Sequence, residues 1–225
     1  MSSVPAATEA AASSRPRLRA EFALFYLVIP LAMAVLLPPV WLFPVLGAVS
    51  LVGLILLGLT PGFRWRELLT GAGRMSWPLL LGVVAGTALL GYAVISLTVP
   101  EARWFLVQRN PSLMLAIAFF YPFLSALPQE IVFRPLFFRR YGAILPRRFD
   151  IAILLNATVF AFAYLMYWSW VVAAMTFAGG LVFAYSYRIR GNFPEAVVAH
   201  SLAGIVVFAL GLGVFFYSGN VTRPF

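Results

Sequence analysis

The chain has no cysteine, a single histidine and little charge: charged residues make up 10% of its 225 positions. Without cysteine there is no disulfide, no thiolate nucleophile and no zinc–thiolate site. One histidine cannot build a two-histidine metal motif such as H-E-x-x-H. No metal and no cofactor are therefore expected. With so few charges and a hydrophobic content of 63%, a soluble domain wrapped around one core is excluded as well. The mean hydropathy of +0.95 is that of a polytopic membrane protein.

The net charge of +9 comes from arginine alone, since all 16 basic residues are arginine. Their positions argue against nucleic acid as a partner. Arg15, Arg17 and Arg19, then Arg64, Arg66 and Arg74, then Arg139, Arg140, Arg147 and Arg148, then Arg188 and Arg190 all fall between apolar segments. That is the pattern of cytoplasmic loops, with anionic lipid headgroups as added partners. Residues 1–20, rich in Ala, Ser and Pro, read as a disordered cytoplasmic tail, since they lack the apolar region and cleavage site of a signal peptide.

The apolar run from Glu21 to Leu59 is interrupted by Pro38-Pro39 and is read as two helices, about 22–37 and 40–59. An arginine-containing loop with an interfacial turn near Trp65–Leu69 precedes a third helix over about 77–99. A polar external loop leads into a fourth, about 113–138, with a prolyl kink expected near Pro122 or Pro128. The fifth covers about 151–167 and ends in Tyr167-Trp168-Ser169-Trp170, expected to form an aromatic belt at the outer interface. The sixth ends near Tyr187, and the seventh runs from Pro194 to about Tyr217. The expectation is an all-α bundle of about seven spans: one membrane domain over 21–217 with a core at 113–210, and a C-terminal tail over 218–225. The N-terminus is placed in the cytoplasm, and the inner membrane of a bacterium is the expected location.

Function must then sit within the bilayer, where ionisable side chains are expensive. Glu130 and Arg134 lie one turn apart in the fourth helix, next to Gln129, and His200 lies in the seventh. Counted from the arginine-rich end, Glu130 and His200 are both roughly 13 Å deep at 1.5 Å per residue, so contact between them is feasible. Asn156 and Tyr164 share a face of the fifth helix, with Tyr164 deeper, at roughly 20 Å. The plain alternative for Glu130 and Arg134 is an i,i+4 ion pair that pins packing, and for His200 an interhelical hydrogen bond. Tyrosine and asparagine in membrane helices are commonly packing residues.

Gln129-Glu130-Ile131-Val132-Phe133-Arg134 resembles the E-E-x-x-F-R-G motif of the CPBP family, the CAAX prenyl proteases and bacteriocin-processing enzymes, also called the abortive-infection family; Pro135 replaces its glycine. Phe160 to Tyr164 stands in the place of the family's F-x-x-x-H, and Arg190 to Pro194 with His200 to Gly204 resembles its G-s-h-x-P…H-x-x-x-N. The resemblance implies a CAAX-protease-like membrane bundle and an intramembrane peptidase. In that family the first glutamate and first histidine are thought to activate water, while the second histidine and the asparagine stabilise the oxyanion. Here Gln129, Tyr164 and Gly204 replace three of those four. Glutamine cannot take a proton from water, tyrosine is chiefly a donor, and glycine has no side chain.

Two readings stay open. In the first the enzyme survives: Glu130 serves as general base, His200 and Tyr164 donate to the oxyanion, and Arg134 holds the carboxylate. Adjacent helical residues point about 100° apart, so this needs a kink at Pro128 to re-aim the base. In the second the chain is a pseudoprotease that keeps the cavity and binds a lipidated or transmembrane partner. A small transporter would predict internal symmetry, and no matching halves are visible.

Overall fold

The computed structural model describes residues 15–221 and residue 223. The described residues form helices and turns with no strand. Among the described residues six helices are long and apolar enough to cross a membrane: α1 (Arg15–Leu36), α3 (Trp77–Thr98), α4 (Pro111–Arg140), α5 (Phe149–Tyr167), α6 (Trp170–Arg188) and α7 (Phe193–Leu210). The shorter apolar helix Leu42–Gly58 is α2. This is an integral membrane protein built as a polytopic helical bundle. Many of its large apolar side chains face outward, Leu97, Leu124 and Trp170 among them, as expected where the solvent is lipid.

Local signals set the helix starts. Ser76, Asn110, Ser169 and Asn192 accept hydrogen bonds from backbone N–H groups in the first turns of α3, α4, α6 and α7, and proline follows in the first turn of α3, α4 and α7. The prolines inside helices sit at or beside widened π-turns: Leu24–Val28 before Pro30, Pro122–Ala126 before Pro128, and Val132–Arg140 around Pro135. A widened turn absorbs the missing N–H without ending the helix. A carbonyl in the last of these turns also takes a side-chain partner from another helix, since the Tyr26 hydroxyl donates to the Val132 carbonyl at 2.7 Å.

Four expectations need correction. Residues 15–20 are not part of a disordered tail but the first turns of α1; residues 1–14 lie outside the described residues. The seventh helix ends at Leu210 rather than near Tyr217, because Gly211 takes φ +97° and passes so close to the Ala102 carbonyl that a Cβ would lie 1.9 Å from its oxygen. A short helix, Gly213–Phe216, follows. The loop after α3 is more ordered than a plain polar loop, with a turn at Pro100–Ala102 and a short helix at Phe105–Arg109. The expected aromatic belt is mostly turned inward: Tyr167 is buried, the Trp168 indole N–H donates to the Ala34 carbonyl at 3.1 Å, and only Trp170 projects freely, 90% exposed.

The chain alternates between two ends. The arginine-rich end is fastened by Arg140 on Glu21, and by Arg190 on Glu195 (Nη2–Oε2 3.2 Å), with the Asn192 amide donating to the Gly71 carbonyl at 2.8 Å. Helices α5 and α6 pack side by side, α7 packs between α3 and α6, and α2 lies against the second half of α4. Helices α2 and α3, though consecutive, both line a central cavity rather than packing on one another.

Candidate functional site

The second half of α4 points Glu130 and Arg134 into the bundle. Glu130 and Arg134 are both 0% exposed. One helical turn brings Arg134 Nε to 3.0 Å from Glu130 Oε2 and Nη2 to 3.5 Å from Oε1. A buried ion pair is tolerated only when further hydrogen bonds satisfy its remaining atoms. His200 on α7 supplies one, with Nδ1 at 2.9 Å from Glu130 Oε1. Asn156 on α5 supplies another: its Oδ1 accepts from Arg134 Nη1, and its Nδ2 donates to the Phe133 carbonyl at 2.6 Å. Aromatic rings close the rest of the shell. The Arg134 guanidinium lies 5.0 Å from the centre of the Phe160 ring, and the His200 imidazole stacks on Phe183, centroids 4.8 Å apart and planes at 10°.

Next to this closed cluster is a cavity of about 790 Å³ lined mainly by apolar residues from every helix. Tyr121, Ser125, Gln129, Tyr164 and His200 form a connected polar wall on one side of it, and Ser50, Thr87, Tyr167 and Thr176 also line it. Gln129 Nε2 donates to Ser125 Oγ at 3.0 Å, and the Tyr164 hydroxyl donates to Gln129 Oε1. The Tyr121 hydroxyl stands 3.1 Å from His200 Nε2. Glu130, Arg134 and Asn156 do not line the cavity, and among the described residues no Asp or Glu does. Adjacent residues on one helix thus face different ways: Gln129 looks into the cavity, Glu130 into the cluster behind it.

All five sequence-derived site residues, Glu130, His200, Arg134, Gln129 and Tyr164, converge here, together with Asn156. Glu130 and His200 meet as their equal depth suggested. Tyr164, placed deeper by simple counting, reaches Gln129 from the point in α5 where the regular α-helix gives way to a tighter turn. Two residues were missed. Tyr121 and Ser125 sit in the apolar first half of α4 with nothing nearby in sequence to mark them; the available signal was that Tyr121, Ser125 and Gln129 recur every four residues and so share a face. Gly204, read only as a missing asparagine, packs directly on the Tyr121 ring.

No group of three His, Asp or Glu side chains able to hold a metal ion occurs among the described residues. A family model described as "Type II CAAX prenyl endopeptidase Rce1-like" matches residues 111–216, the stretch that carries α4 to α7 and every residue of the site. Residues 111–216 are thus similar to the Rce1-like family. Comparison with curated proteins and with solved structures returned no match. The resemblance read in the sequence sets Gln129, which faces the cavity, against the motif's first glutamate and Tyr164 against its first histidine. Gln129 and Tyr164 are bonded to each other.

Proposed function

We propose that this Rce1-like membrane protein binds a lipidated or transmembrane segment in its cavity without cutting it, and so acts as a pseudoprotease. One observation carries the reading: the residue aimed into the cavity is an amide, Gln129, while the neighbouring carboxylate, Glu130, is fully buried behind it and engaged by Arg134 and His200. Hydrolysis needs a group that can reach water and take its proton. An amide cannot take it, and a sealed, ion-paired carboxylate cannot reach it. The cavity, at about 790 Å³, has the size and apolar lining of a ligand pocket.

The peptidase reading has one observation in its favour. Glu130 and His200 form a carboxylate–imidazole pair, and an imidazole oriented in this way can serve as a base through its other nitrogen. That nitrogen is already engaged by Tyr121, which is why binding without cleavage is preferred. The arginines at one end of the bundle support a cytoplasmic position for that end and for the N-terminus, in a bacterial inner membrane.

A photoreactive isoprenoid-modified peptide, incubated with the protein in nanodiscs, tests this reading. Crosslinking to residues around Gln129 and Tyr164, with the peptide recovered intact, is the expected result. A peptide recovered cleaved would overturn it.

A further inference from the structure

The polar residues of the cavity wall form one directed chain of donors, and its direction follows from the buried end. An ionised carboxylate only accepts hydrogen bonds, so the imidazole nitrogen 2.9 Å from Glu130 Oε1 carries the proton: His200 is protonated at Nδ1. With the charges of Glu130 and Arg134 cancelling, a neutral imidazole leaves the cluster uncharged, whereas a second proton would bury a net positive charge. A neutral imidazole has one donor and one acceptor. Nε2 therefore accepts, and the Tyr121 hydroxyl at 3.1 Å donates.

Having directed its proton to His200, the Tyr121 oxygen can only accept. Ser125 stands beside it. Ser125 Oγ itself accepts from Gln129 Nε2 at 3.0 Å, and so keeps its own proton for Tyr121. Gln129 Oε1 accepts from the Tyr164 hydroxyl. Every hydroxyl of the wall thus points its proton along the chain. What this chain of five residues leaves for a ligand is a row of oxygen lone pairs, with the second amide hydrogen of Gln129 as its one spare donor; the Ser50 and Thr87 hydroxyls line the cavity on other helices.

Gly204 is the condition for this arrangement. A Cβ there would lie 2.3 Å from Cε1 of Tyr121 and 2.6 Å from its hydroxyl oxygen. Any side chain at 204 would push the ring off His200. The glycine on α7 and the tyrosine on α4 are therefore one device.

We propose that Tyr121 is a positioning residue that holds His200 Nε2 as an acceptor, and that the wall it organises selects ligands that donate a hydrogen bond, through O–H or N–H, over ligands that only accept. The selection rests on the binding reading of the cavity; the positioning of His200 does not. It also explains why this wall is unsuited to an oxyanion, which needs donors aimed at it.

Because His200 is the only histidine, histidine labelled with nitrogen-15 gives the spectrum of one imidazole in the intact protein in nanodiscs. The expected spectrum is neutral and protonated at Nδ1. Tyr121→Phe should shift the Nε2 signal toward that of an unbonded acceptor and leave Nδ1 in place. Gly204→Ala should do the same with the phenol still present. A proton on Nε2 in the wild type, or a spectrum indifferent to both substitutions, would overturn the role of Tyr121. On the same preparation, a long-chain alcohol and its methyl ether are titrated calorimetrically; both carry an acceptor oxygen, and only the alcohol donates. The alcohol should bind about tenfold more tightly, the equivalent of one hydrogen bond, with the advantage reduced in Tyr121→Phe. Equal affinities would overturn the selection while leaving the binding reading intact. Binding of neither would overturn both, and the imidazole spectrum would still decide whether Tyr121 positions His200.

Discussion

Two of the ion pairs on helix α4 share their chemistry but not their surroundings. Arg134 pairs with Glu130 on its own helix, both side chains 0% exposed. Six residues on, Arg140 pairs with Glu21 of α1, 119 positions away in the chain, with side chains 13% and 20% exposed. The outer pair is a fastener. It is backed by the Tyr141 hydroxyl donating to Glu21 at 2.8 Å and by Arg140 donating to the Leu56 carbonyl at 3.1 Å, so it ties three helices together at the arginine-rich end. The inner pair joins no helices by itself, being local. It does so through what its desolvation requires: His200 from α7 and Asn156 from α5 must come to it, because neither charge could stay buried otherwise. Depth therefore turns the same contact from a clasp into the centre of a network.

The comparison can be broken most severely from the inside. Arg134→Met leaves Glu130 buried without a countercharge and should cost about 3–5 kcal/mol, read as an earlier unfolding transition in a detergent titration. Adding Glu130→Leu to that variant should recover more than half of the loss, since removing both charges of a buried pair is far milder than removing one. If the double variant is no better than the single one, the cost does not come from an orphaned carboxylate.

A smaller effect is expected from the neutral partner. Asn156→Leu removes the amide that accepts from Arg134 and donates to the Phe133 carbonyl, and should cost about 1–3 kcal/mol in the same titration. At the outer pair, Arg140→Ala should cost about 1–2 kcal/mol, and added salt should narrow the gap from wild type because this pair is partly solvated. The inner variants should show no such salt dependence. Smallest of all, Arg148→Ala removes a pair with Asp150 in which both side chains are mostly exposed, and no change in unfolding should be measurable.

The helices were legible because long apolar runs leave the chain few alternatives in a membrane, and the arginine clusters marked their ends. Glu130 and His200 were legible for a related reason: a carboxylate and an imidazole at matching depth in apolar helices need partners, and each is the other's. Legibility failed where a residue looked ordinary for its segment. Tyr121 is one aromatic among several in Phe119-Phe120-Tyr121, and nothing in the pattern says that its hydroxyl reaches a helix 79 positions away. Gly204 failed differently. As a substitution it reads as a loss, and only its contact with the Tyr121 ring reveals what the missing side chain makes room for. The widened turns around Pro30, Pro128 and Pro135 were also out of reach, because proline predicts that a helix must adjust but not whether it bends or widens.

The central claim is that, among the described residues, the cavity wall presents no carboxylate to water, Glu130 being buried behind it, and that the His200 imidazole on the wall is already engaged by Tyr121. Its most direct test is the mass spectrum of a membrane-embedded, isoprenoid-modified reporter peptide after incubation with the reconstituted wild-type protein and with Glu130→Gln. The account predicts an unchanged peptide in both samples. A peptide shortened by the wild type and spared by Glu130→Gln would contradict it.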